Sequence, residues 1–492
     1  MIFEAIVLLV ATALIAIIID EQTEPKASLP RVGSDPGPFN LLKWWARWKW
    51  LQHGHENVVR EYQKSPFQNY CTQTLMGDTI VLGREFVNEF NMLPESKLNS
   101  TAALVDSVLG QYTGVDHLLK DHLTTDICRG PFTRHLANFI PVMAEELEAA
   151  MAEKLEFDDS KVFDAYDLLL DFIHRITSIV FVGKAHGRNP IWNHAVTILP
   201  IDVEITKFIL LPFPKFLRRF IAPLIPQRNR VFRQRIAVRN MLFPSSQEMV
   251  SSEEPSVMKL LVESGKDKSP DSITARLMIL TGAALHTSSM AIAHVVYDLC
   301  AMPEYIEPLR LEAKAALDQD SGEWKMSTIK RLHQLDSFLK ESQRMNHTSF
   351  LGFNRKVMSP ITLSDGTTLP RGAEIAAPGG PMSHDPEFYD EPERFDGLRF
   401  YRSRDNEDTF SSGIHDYTGI EPGNLSWGNG RFTCPGRWYA AVMIKLIVAR
   451  LLLDYDLSFP PGQKERPRNG KYDTDVHPSF EQKIVLKKRG AV

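Results

Sequence analysis

Cysteine is scarce in this sequence. Its 492 residues include four cysteines, Cys71, Cys128, Cys300 and Cys434, which lie far apart and form no Cys-x-x-Cys pair. Disulfide-stapled domains and structural zinc sites need cysteines in larger numbers or in closely spaced pairs. The sequence therefore argues against both and fits a reducing compartment.

A strong excess of charge of one sign is also absent. Lys and Arg number 56, Asp and Glu number 61, and the net charge is −5. Because nucleic-acid-binding proteins are typically basic, this composition gives no reason to expect nucleic acid as a partner. The chain has no internal repeat, and its length suits two or three domains or one large, mostly helical enzyme domain.

Basic residues are missing ahead of the first apolar run. Residues 2–19 are apolar apart from Glu4 and Thr12, and as a helix they would span about 27 Å. A cleaved signal peptide is the alternative, but such peptides begin with positive charge, so we favour an uncleaved anchor. Cations follow the run from Lys26 onward, which predicts a body in the cytosol. The Pro- and Gly-rich residues 29–38 then predict a stiff hinge.

Two further stretches mix bulky apolar residues with cations. Residues 41–51 (LLKWWARWKWL) predict either a collar in the lipid headgroup layer or a helix packed on the domain. Residues 210–235 contain four prolines among Phe, Leu and Arg. They favour a second membrane-touching patch over a mobile loop between two helices.

A glycine-punctuated loop at 427–437 (WGNGRFTCPGR) presents Cys434 just before an apolar helical stretch. Backbone N–H groups and the positive end of that helix would stabilise a thiolate, which makes Cys434 a candidate iron ligand. The alternative from these residues alone is a buried structural cysteine in a turn.

A long helix is predicted from Ser269 to the breaker Pro303. Its middle, 282–289 (GAALHTSS), has small residues followed by polar ones. This pattern indicates a groove for a bulky group, or else close helix packing with satisfied hydroxyls.

Three other features precede the cysteine loop. Glu341 and Arg344 share a face of an amphipathic helix at i and i+3, a spacing that most often gives a solvated pair. A β-hairpin is predicted over 355–378, and an irregular polar meander follows at 384–395.

In this order the elements resemble the cytochrome P-450 family of haem-thiolate monooxygenases over nearly the whole chain. The family's cysteine loop, aromatic-x-x-Gly-x-basic-x-Cys-x-Gly, is matched by Trp427, Gly430, Cys434 and Gly436. Its Glu-x-x-Arg motif is matched at 341–344 (ESQR), and its meander arginine by Arg394. The resemblance implies a buried network of Glu341, Arg344 and Arg394.

The resemblance also implies a fold and a domain plan. The fold is mainly α with small β-sheets (α+β), with haem between the long central helix and the cysteine-loop helix of a triangular body. As in microsomal members, an N-terminal transmembrane helix is expected. We therefore predict a membrane anchor over 1–24, a hinge over 25–40 and the haem-thiolate monooxygenase domain over 41–492.

The cofactor implied is haem b with Cys434 as the axial thiolate ligand. Arg355 matches a family position that pairs with a haem propionate. Phe432 stands where the family has Arg or His for the other propionate. Arg431 and Arg129 are the remaining candidates near that group.

In the central helix, Thr287 matches the family's hydroxyl, while His286 replaces an acid and Ala284 a glycine. The resemblance implies that Thr287 and His286 relay protons, which an imidazole can do near neutral pH. By position, the substrate walls include Ala283, Phe350 and Leu351.

The implied activity is insertion of one atom of O2 into a C–H bond of an apolar small molecule at the endoplasmic reticulum membrane. The His-Thr pair resembles fungal enzymes that oxidise terpenoids and other secondary metabolites. Electrons would come from NADPH through a reductase docked near Arg431, Arg437 and Lys445. A haem-thiolate isomerase or dehydratase that uses no O2, and a non-catalytic haem-binding membrane protein, are the alternatives.

Overall fold

The computed structural model describes residues 28–35, 43–91, 93–244, 254–266, 269–405 and 413–490. The predicted anchor at 1–24 lies outside these residues, and only part of the predicted hinge at 25–40 lies within them.

Helices make up most of the described chain, as predicted. They are α1 (Lys43–Lys64), α2 (Phe86–Asn91), α3 (Ser100–Ser107), α4 (Gly110–Thr113), α5 (Leu123–Ile127), α6 (Leu136–Lys154), α7 (Ala165–Val182), α8 (Lys184–Gly187), α9 (Pro190–Leu210), α10 (Lys215–Ile221), α11 (Pro226–Leu242), α12 (Val257–Glu263), α13 (Pro270–Ala301), α14 (Ile306–Gln319), α15 (Met326–Arg331), α16 (His333–Met345), α17 (Gly379–Met382), α18 (Arg399–Asp405) and α19 (Arg437–Asp454).

Within the ranges given above, the strands form four small sheets. They are β1 (Arg31–Val32), β2 (Tyr70–Gln73), β3 (Asp78–Val81), β4 (Leu98–Asn99), β5 (Ser160–Asp164), β6 (Gly352–Val357), β7 (Ile361–Thr362), β8 (Thr368–Leu369), β9 (Glu374–Ala377), β10 (Tyr455–Ser458), β11 (Gly470–Tyr472), β12 (Asp475–His477) and β13 (Lys483–Lys488). The largest sheet has the order β1-β2-β3-β9-β6-β4, and a second has the order β10-β13-β5. The pairs β11-β12 and β7-β8 stand alone. This architecture confirms the predicted fold class.

The central helix α13 organises the helical body. Pro270 occupies its first turn, where a missing N–H costs nothing, and Pro303 follows its last residue. Its 32 residues correspond to about 48 Å of length. It packs against α7, α9, α11, α16 and α19, so its nearly all-round apolar surface is covered by other helices.

The same helix is the one element of the described ranges that is long and apolar enough to cross a bilayer. Its most apolar window is 56% buried inside the protein. We therefore interpret α13 as a core helix.

The predicted hairpin at 355–378 is present. Strand β6 pairs antiparallel with β9, and a smaller β7-β8 ladder lies between them in the sequence. Its turn contains Gly366 at φ +84°, a backbone conformation that glycine adopts at no steric cost. The hairpin places Arg355 on a central strand of the large sheet.

Candidate active site

The cysteine loop is held by backbone hydrogen bonds and by two glycines. The N–H of Cys434 donates to the carbonyl of Trp427 at 2.7 Å, and the indole N–H of Trp427 donates to the carbonyl of Tyr417 at 2.7 Å. Gly428 and Gly430 have φ angles of +74° and +62°, which residues with a Cβ rarely adopt. The loop thus fixes the sulfur at the start of α19.

The surroundings of Cys434 suit a metal-bound thiolate. Burial raises the pKa of the Cys434 thiol, while the backbone N–H of Gly436 and the charge of Arg437 act in the opposite direction. The guanidinium of Arg437 also donates to the Cys434 carbonyl at 3.0 Å. Since burial disfavours the free thiolate, a further positive charge at the sulfur, such as iron, would stabilise it. A Cβ built on Gly436 would meet no atom within 4 Å, so there is open space close to the sulfur.

The surroundings of Arg355 indicate a place for a bound anion. Its side chain is buried, and its Nη2 has no hydrogen-bond partner among the described residues. Its Nη1 donates only to the neighbouring carbonyl of Asn354, at 2.8 Å. Burial lowers the pKa of Arg355 to about 9. Because a buried guanidinium without a counter-ion is costly, an anionic group such as a haem propionate fits this place.

Phe432, the departure from the family pattern, contacts this same guanidinium. The Phe432 ring lies 4.6 Å from the Arg355 guanidinium carbon, and the Phe353 ring lies 4.1 Å from it. Phe353 takes φ +58°, and the β6-β9 register shifts between Gly352 and Arg355. Such bulges often redirect a side chain near an active site. Two aromatic faces therefore hold the Arg355 cation in place.

Arg129 and Arg431 flank the cysteine loop. Arg129 donates from Nη2 to the carbonyls of Arg431 at 2.7 Å and Thr433 at 2.9 Å. It therefore braces the loop that carries Cys434. Both arginines line a cleft of about 380 Å³ together with Gly430, Thr433, Pro435, Arg437 and Trp438. Lys445, predicted to add charge here, is instead buried in an ion pair with Asp336.

The buried pair predicted at Glu341 and Arg344 is present. Both side chains are fully buried, and they form two hydrogen bonds of 2.8 Å. Arg344 also donates to the carbonyls of Ser383 and Pro392, each at 2.7 Å. These bonds tie α16 to the meander.

The assignment of the Arg394 side chain to this network is wrong. That side chain is 70% exposed and pairs with Glu391, whereas Arg399 is 13% exposed and contacts Glu341 at 3.2 Å. Only the carbonyl of Arg394 takes part, accepting from Arg344 at 3.3 Å and from Arg399 at 3.1 Å. The meander turns its backbone inward at Arg394, a conformation that the motif spacing does not reveal.

Ala283 and Thr287 share a face of the central helix and are exposed, although the helix crosses the core. The Thr287 hydroxyl donates to the Ala283 carbonyl at 2.7 Å. Exposure in the middle of a buried helix means that this face borders an open space inside the protein.

His286 is turned toward α7 instead. Its Nδ1 shares a hydrogen bond of 3.3 Å with the hydroxyl of Tyr166, a residue that the sequence analysis did not single out. Burial lowers the pKa of His286, and a hydrogen bond to the backbone of Thr197 opposes this shift. The imidazole is therefore neutral near pH 7 and is positioned by a tyrosine.

The structure also corrects the predicted substrate walls. Phe350 and Leu351 are buried in a hydrophobic cluster with Trp50 and Val81. The Phe350 ring stacks on His55 at 4.0 Å. Both side chains therefore belong to the core behind the large sheet rather than to the wall of an open space. Of the three predicted wall residues, only Ala283 is exposed.

Comparisons with known proteins agree with this geometry. The family model for cytochrome P-450 matches residues 36–479. The chain is 34% identical to the cytochrome P-450 monooxygenase olcJ of Penicillium canescens over 464 residues, covering 91% of this chain and 86% of that protein. It is 34% identical to an ent-kaurene oxidase of Gibberella intermedia over 454 residues, with coverage of 91% and 86%. The cytochrome P-450 monooxygenase paxP of Penicillium paxilli is 31% identical over 455 residues, with coverage of 89% and 86%.

A solved structure shares the fold. The retinoic acid-bound cyanobacterial CYP120A1 superimposes with a TM-score of 0.70, covering 94% of this chain and 100% of that one. Its sequence identity to this chain is 18%, so the likeness bears on the fold alone.

Proposed function

The chain belongs to the cytochrome P-450 family, and on that premise we propose that it is a membrane-anchored monooxygenase of a terpenoid secondary-metabolite pathway. The observation that supports this proposal most directly is the buried guanidinium of Arg355. It lacks a counter-ion within the described ranges, and it lies in the same site as the Cys434 loop. Together they provide a metal ligand and an anion partner for one cofactor.

Family and fold imply haem b with thiolate-ligated iron. When bound, haem activates O2 for insertion of one oxygen atom into a C–H bond. Cys434 would ligate the iron, Arg355 would neutralise a propionate, and the Trp427 to Gly436 backbone would hold the loop. Arg129 would keep that loop in shape through its carbonyl contacts.

Protons would be moved by the central helix. The Thr287 hydroxyl is exposed to the internal space, where it can hold a water molecule in hydrogen-bonding range. His286 would act as the neutral relay behind it, since burial lowers its pKa.

Electrons would enter from NADPH through a cytochrome P-450 reductase, the usual partner of this family. The cleft that Arg129, Arg431 and Arg437 line beside Cys434 offers positive charge to an acidic partner surface.

A membrane surface would contact two exposed apolar patches. Trp44, Trp45 and Trp48 are about half exposed on α1. The second patch begins in the last turn of α9 and continues beyond it; it includes Phe208, Phe213, Phe216, Phe220 and Leu224. The β2-β3 turn lies between them, because Arg47 donates to the Met76 carbonyl at 3.4 Å and Met76 packs against the small hydrophobic cluster that includes Leu210 and Ala222.

With the apolar residues 2–19, these patches support a single-pass protein of the endoplasmic reticulum with its catalytic domain in the cytosol. The proposed domain boundaries remain 1–24, 25–40 and 41–492. An apolar, terpenoid-type substrate is supported by the relatives that are named for ent-kaurene oxidation.

The test is spectroscopic and then chemical. The full-length protein, reduced and bound to carbon monoxide, should give a thiolate-type Soret band. The Cys434→Ala variant should lack this band. The control variant Cys300→Ala, which changes a buried cysteine elsewhere in the chain, should keep it. Reductase, NADPH and labelled O2 should then place one labelled atom in the product of a terpenoid precursor. Persistence of the thiolate band in Cys434→Ala would overturn the ligand assignment.

Products that carry no labelled oxygen would favour an isomerase or dehydratase. A protein that has the thiolate band but yields no product would favour a non-catalytic haem-binding role.

A further inference from the structure

Phe432 occupies a fixed position in the cysteine loop. It ends a short helical turn, two residues before Cys434. Arg129 holds the backbone on both sides of it, through the carbonyls of Arg431 at 2.7 Å and Thr433 at 2.9 Å. The backbone from which the Phe432 ring projects is therefore held in place from both directions.

The hydrophobic core does not account for where the Phe432 ring lies. Phe432 is partly exposed and belongs to none of the hydrophobic clusters of the described ranges. Phe353, the other ring beside Arg355, is instead buried in a cluster with Ile375 and Leu425. The contact that the Phe432 ring does make is with the guanidinium carbon of Arg355, at 4.6 Å.

The two rings contact a desolvated cation. Arg355 is buried, and the Phe353 ring lies 4.1 Å from its guanidinium carbon. A cation within about 6 Å of a ring centroid is attracted to the ring face, and the attraction is stronger when water is excluded. Both contacts with Arg355 are therefore of the stronger kind.

The rings position the guanidinium without using its N–H groups. An aromatic face is a much weaker acceptor than a carboxylate, and Nη2 of Arg355 has no hydrogen-bond partner among the described residues. A carboxylate of a bound cofactor can therefore still accept from it. The cation lies on strand β6, while Phe432 lies on the loop of Cys434. The ring thus links the anion partner to the loop of the metal ligand.

We propose that Phe432 is a positioning residue for haem. Its ring, together with that of Phe353, holds the Arg355 guanidinium beside the Cys434 loop, where it meets a haem propionate. The proposal rests on the haem-binding part of the proposed function. Outer groups that orient the direct partners of a cofactor commonly decide how tightly it is held. Here an aromatic ring does so through an arginine.

The test measures haem retention rather than turnover. The full-length, haem-loaded protein is mixed with an excess of apomyoglobin, and haem transfer is followed by Soret absorbance. Phe432→Leu keeps an apolar side chain but removes the ring. We expect it to release haem about five- to thirtyfold faster, as suits the loss of one desolvated cation–π contact.

Two further variants serve as controls for haem release. Phe432→Tyr keeps the ring face and should release haem at the wild-type rate. Phe232→Leu removes a ring that lies 4.5 Å from the guanidinium carbon of Arg228 on α11. It should also release haem at the wild-type rate, because this cation–π pair lies outside the site.

The reduction potential of the haem iron is a second measurement, and a purely structural role for Phe432 would leave it unchanged. A positive charge held near the haem favours the reduced state, which carries one more electron. Phe432→Leu should therefore lower the potential, because Arg355 is no longer held in place. Phe432→Tyr should keep the wild-type potential.

A double-mutant cycle shows whether the ring acts through the cation. In an Arg355→Leu background, Phe432→Leu should change neither the rate of haem release nor the potential. If the Arg355→Leu protein takes up no haem, the comparison of Leu with Tyr at position 432 decides by itself.

Three results would overturn the positioning role: wild-type haem release and potential in Phe432→Leu, an equal loss of haem in Phe432→Tyr, or a full effect of Phe432→Leu in the absence of Arg355. Failure of the proposed function has a different signature. The wild-type protein would then lack the thiolate band or form no labelled product, which the comparison of haem release among variants does not measure.

Discussion

At the residue scale, Arg399 and Arg394 form a natural comparison because they lie five residues apart and differ in burial. Arg399 contacts the fully buried Glu341, and Arg394 contacts the exposed Glu391. Removing one partner of a buried ion pair leaves an uncompensated charge, whereas an exposed pair contributes little.

We expect Arg399→Leu to lower the free energy of unfolding by about 3 kcal/mol. Arg394→Leu should change it by less than about 0.5 kcal/mol. Thermal denaturation followed by circular dichroism measures both. Equal destabilisation by the two variants would contradict the placement of Arg399 in the network.

Thr287 and Thr281 of the central helix form a second comparison of this kind. Each hydroxyl donates to the carbonyl four residues earlier at 2.7 Å, but Thr281 is fully buried and Thr287 is exposed to the internal space. Of these two residues, only Thr287 is therefore placed to hold a water molecule, as the proposed proton delivery requires.

Thr287→Val should lower the product formed per NADPH consumed, because a positioned proton-transfer group contributes about 10²- to 10⁴-fold to the step that it assists. Thr281→Val should leave that ratio unchanged. Product and NADPH oxidation are measured in the same reaction. Unchanged coupling in Thr287→Val would transfer the role to another group, with His286 the first candidate.

At the element scale, the packing of α7 against α13 brings Tyr166 to His286. A neutral imidazole has one donor and one acceptor nitrogen, and a hydroxyl on Nδ1 helps to decide which is which. In the proposed function, Tyr166 would thus be a positioning residue that acts through His286.

Tyr166→Phe should reduce coupling about fivefold, the worth of one neutral hydrogen bond. It should also shift the acidic limb of the pH profile of coupling, because the hydroxyl that shares a hydrogen bond with Nδ1 influences the balance between the neutral and the protonated ring. Tyr297→Phe is the control, because its buried hydroxyl donates to the Ser479 carbonyl at 2.7 Å. A merely structural role for Tyr166 would leave the pH profile in place.

Helix α1 carries the proposed headgroup contact. Its three exposed tryptophans accompany Arg47, whose guanidinium lies 4.8 Å from the Trp44 ring, and Lys49, whose Nζ lies 5.2 Å from the Trp48 ring. Amphipathic rings beside cations favour the interface of a bilayer.

In vesicles with brominated acyl chains, the tryptophan fluorescence of the full chain should be quenched. Changing Trp44, Trp45 and Trp48 together to Phe should remove most of that quenching. Trp438 is an exposed tryptophan beside the cysteine loop, and Trp438→Phe should leave most of the quenching in place. Anchoring through residues 1–24 alone would leave the quenching equal in both variants.

At the scale of the whole molecule, stability should depend on the carboxyl of Glu374 in the central strand β9. Burial, with the charge of Asp106, raises the pKa of Glu374 to about 7, against the opposing charge of Lys356. An unfolded glutamate titrates near 4.3. Between these values the folded protein holds a proton that the unfolded chain has lost, so stability falls as the pH rises.

As the pH is raised from 5 to 8, the free energy of unfolding of Glu374→Gln should therefore increase relative to that of the wild type, by up to about 3 kcal/mol. Below pH 4 the difference should stop changing. Urea denaturation at several pH values measures it, and Glu323→Gln, an exposed position, serves as control. A difference that is constant across this range would contradict the raised pKa.

Local patterns alone predicted much of this enzyme. The family, the mainly α fold, Cys434 in its loop, the Glu341–Arg344 spacing, the long central helix and Thr287 all follow from short stretches of sequence. Such features depend on nearest neighbours along the chain: a turn that needs glycine, a helical i,i+3 face, or an apolar run between prolines. That is why they are visible without a structure.

Tertiary structure decided which distant groups meet. It placed Arg399 rather than the Arg394 side chain on Glu341, set Phe432 against Arg355, and brought Tyr166 to His286. These contacts join positions that spacing cannot relate, and burial, which sets the pKa of each group, depends on every element packed around it. The sequence thus determined the candidate iron ligand and the loop that carries it, and the packing of the chain decided what surrounds that loop.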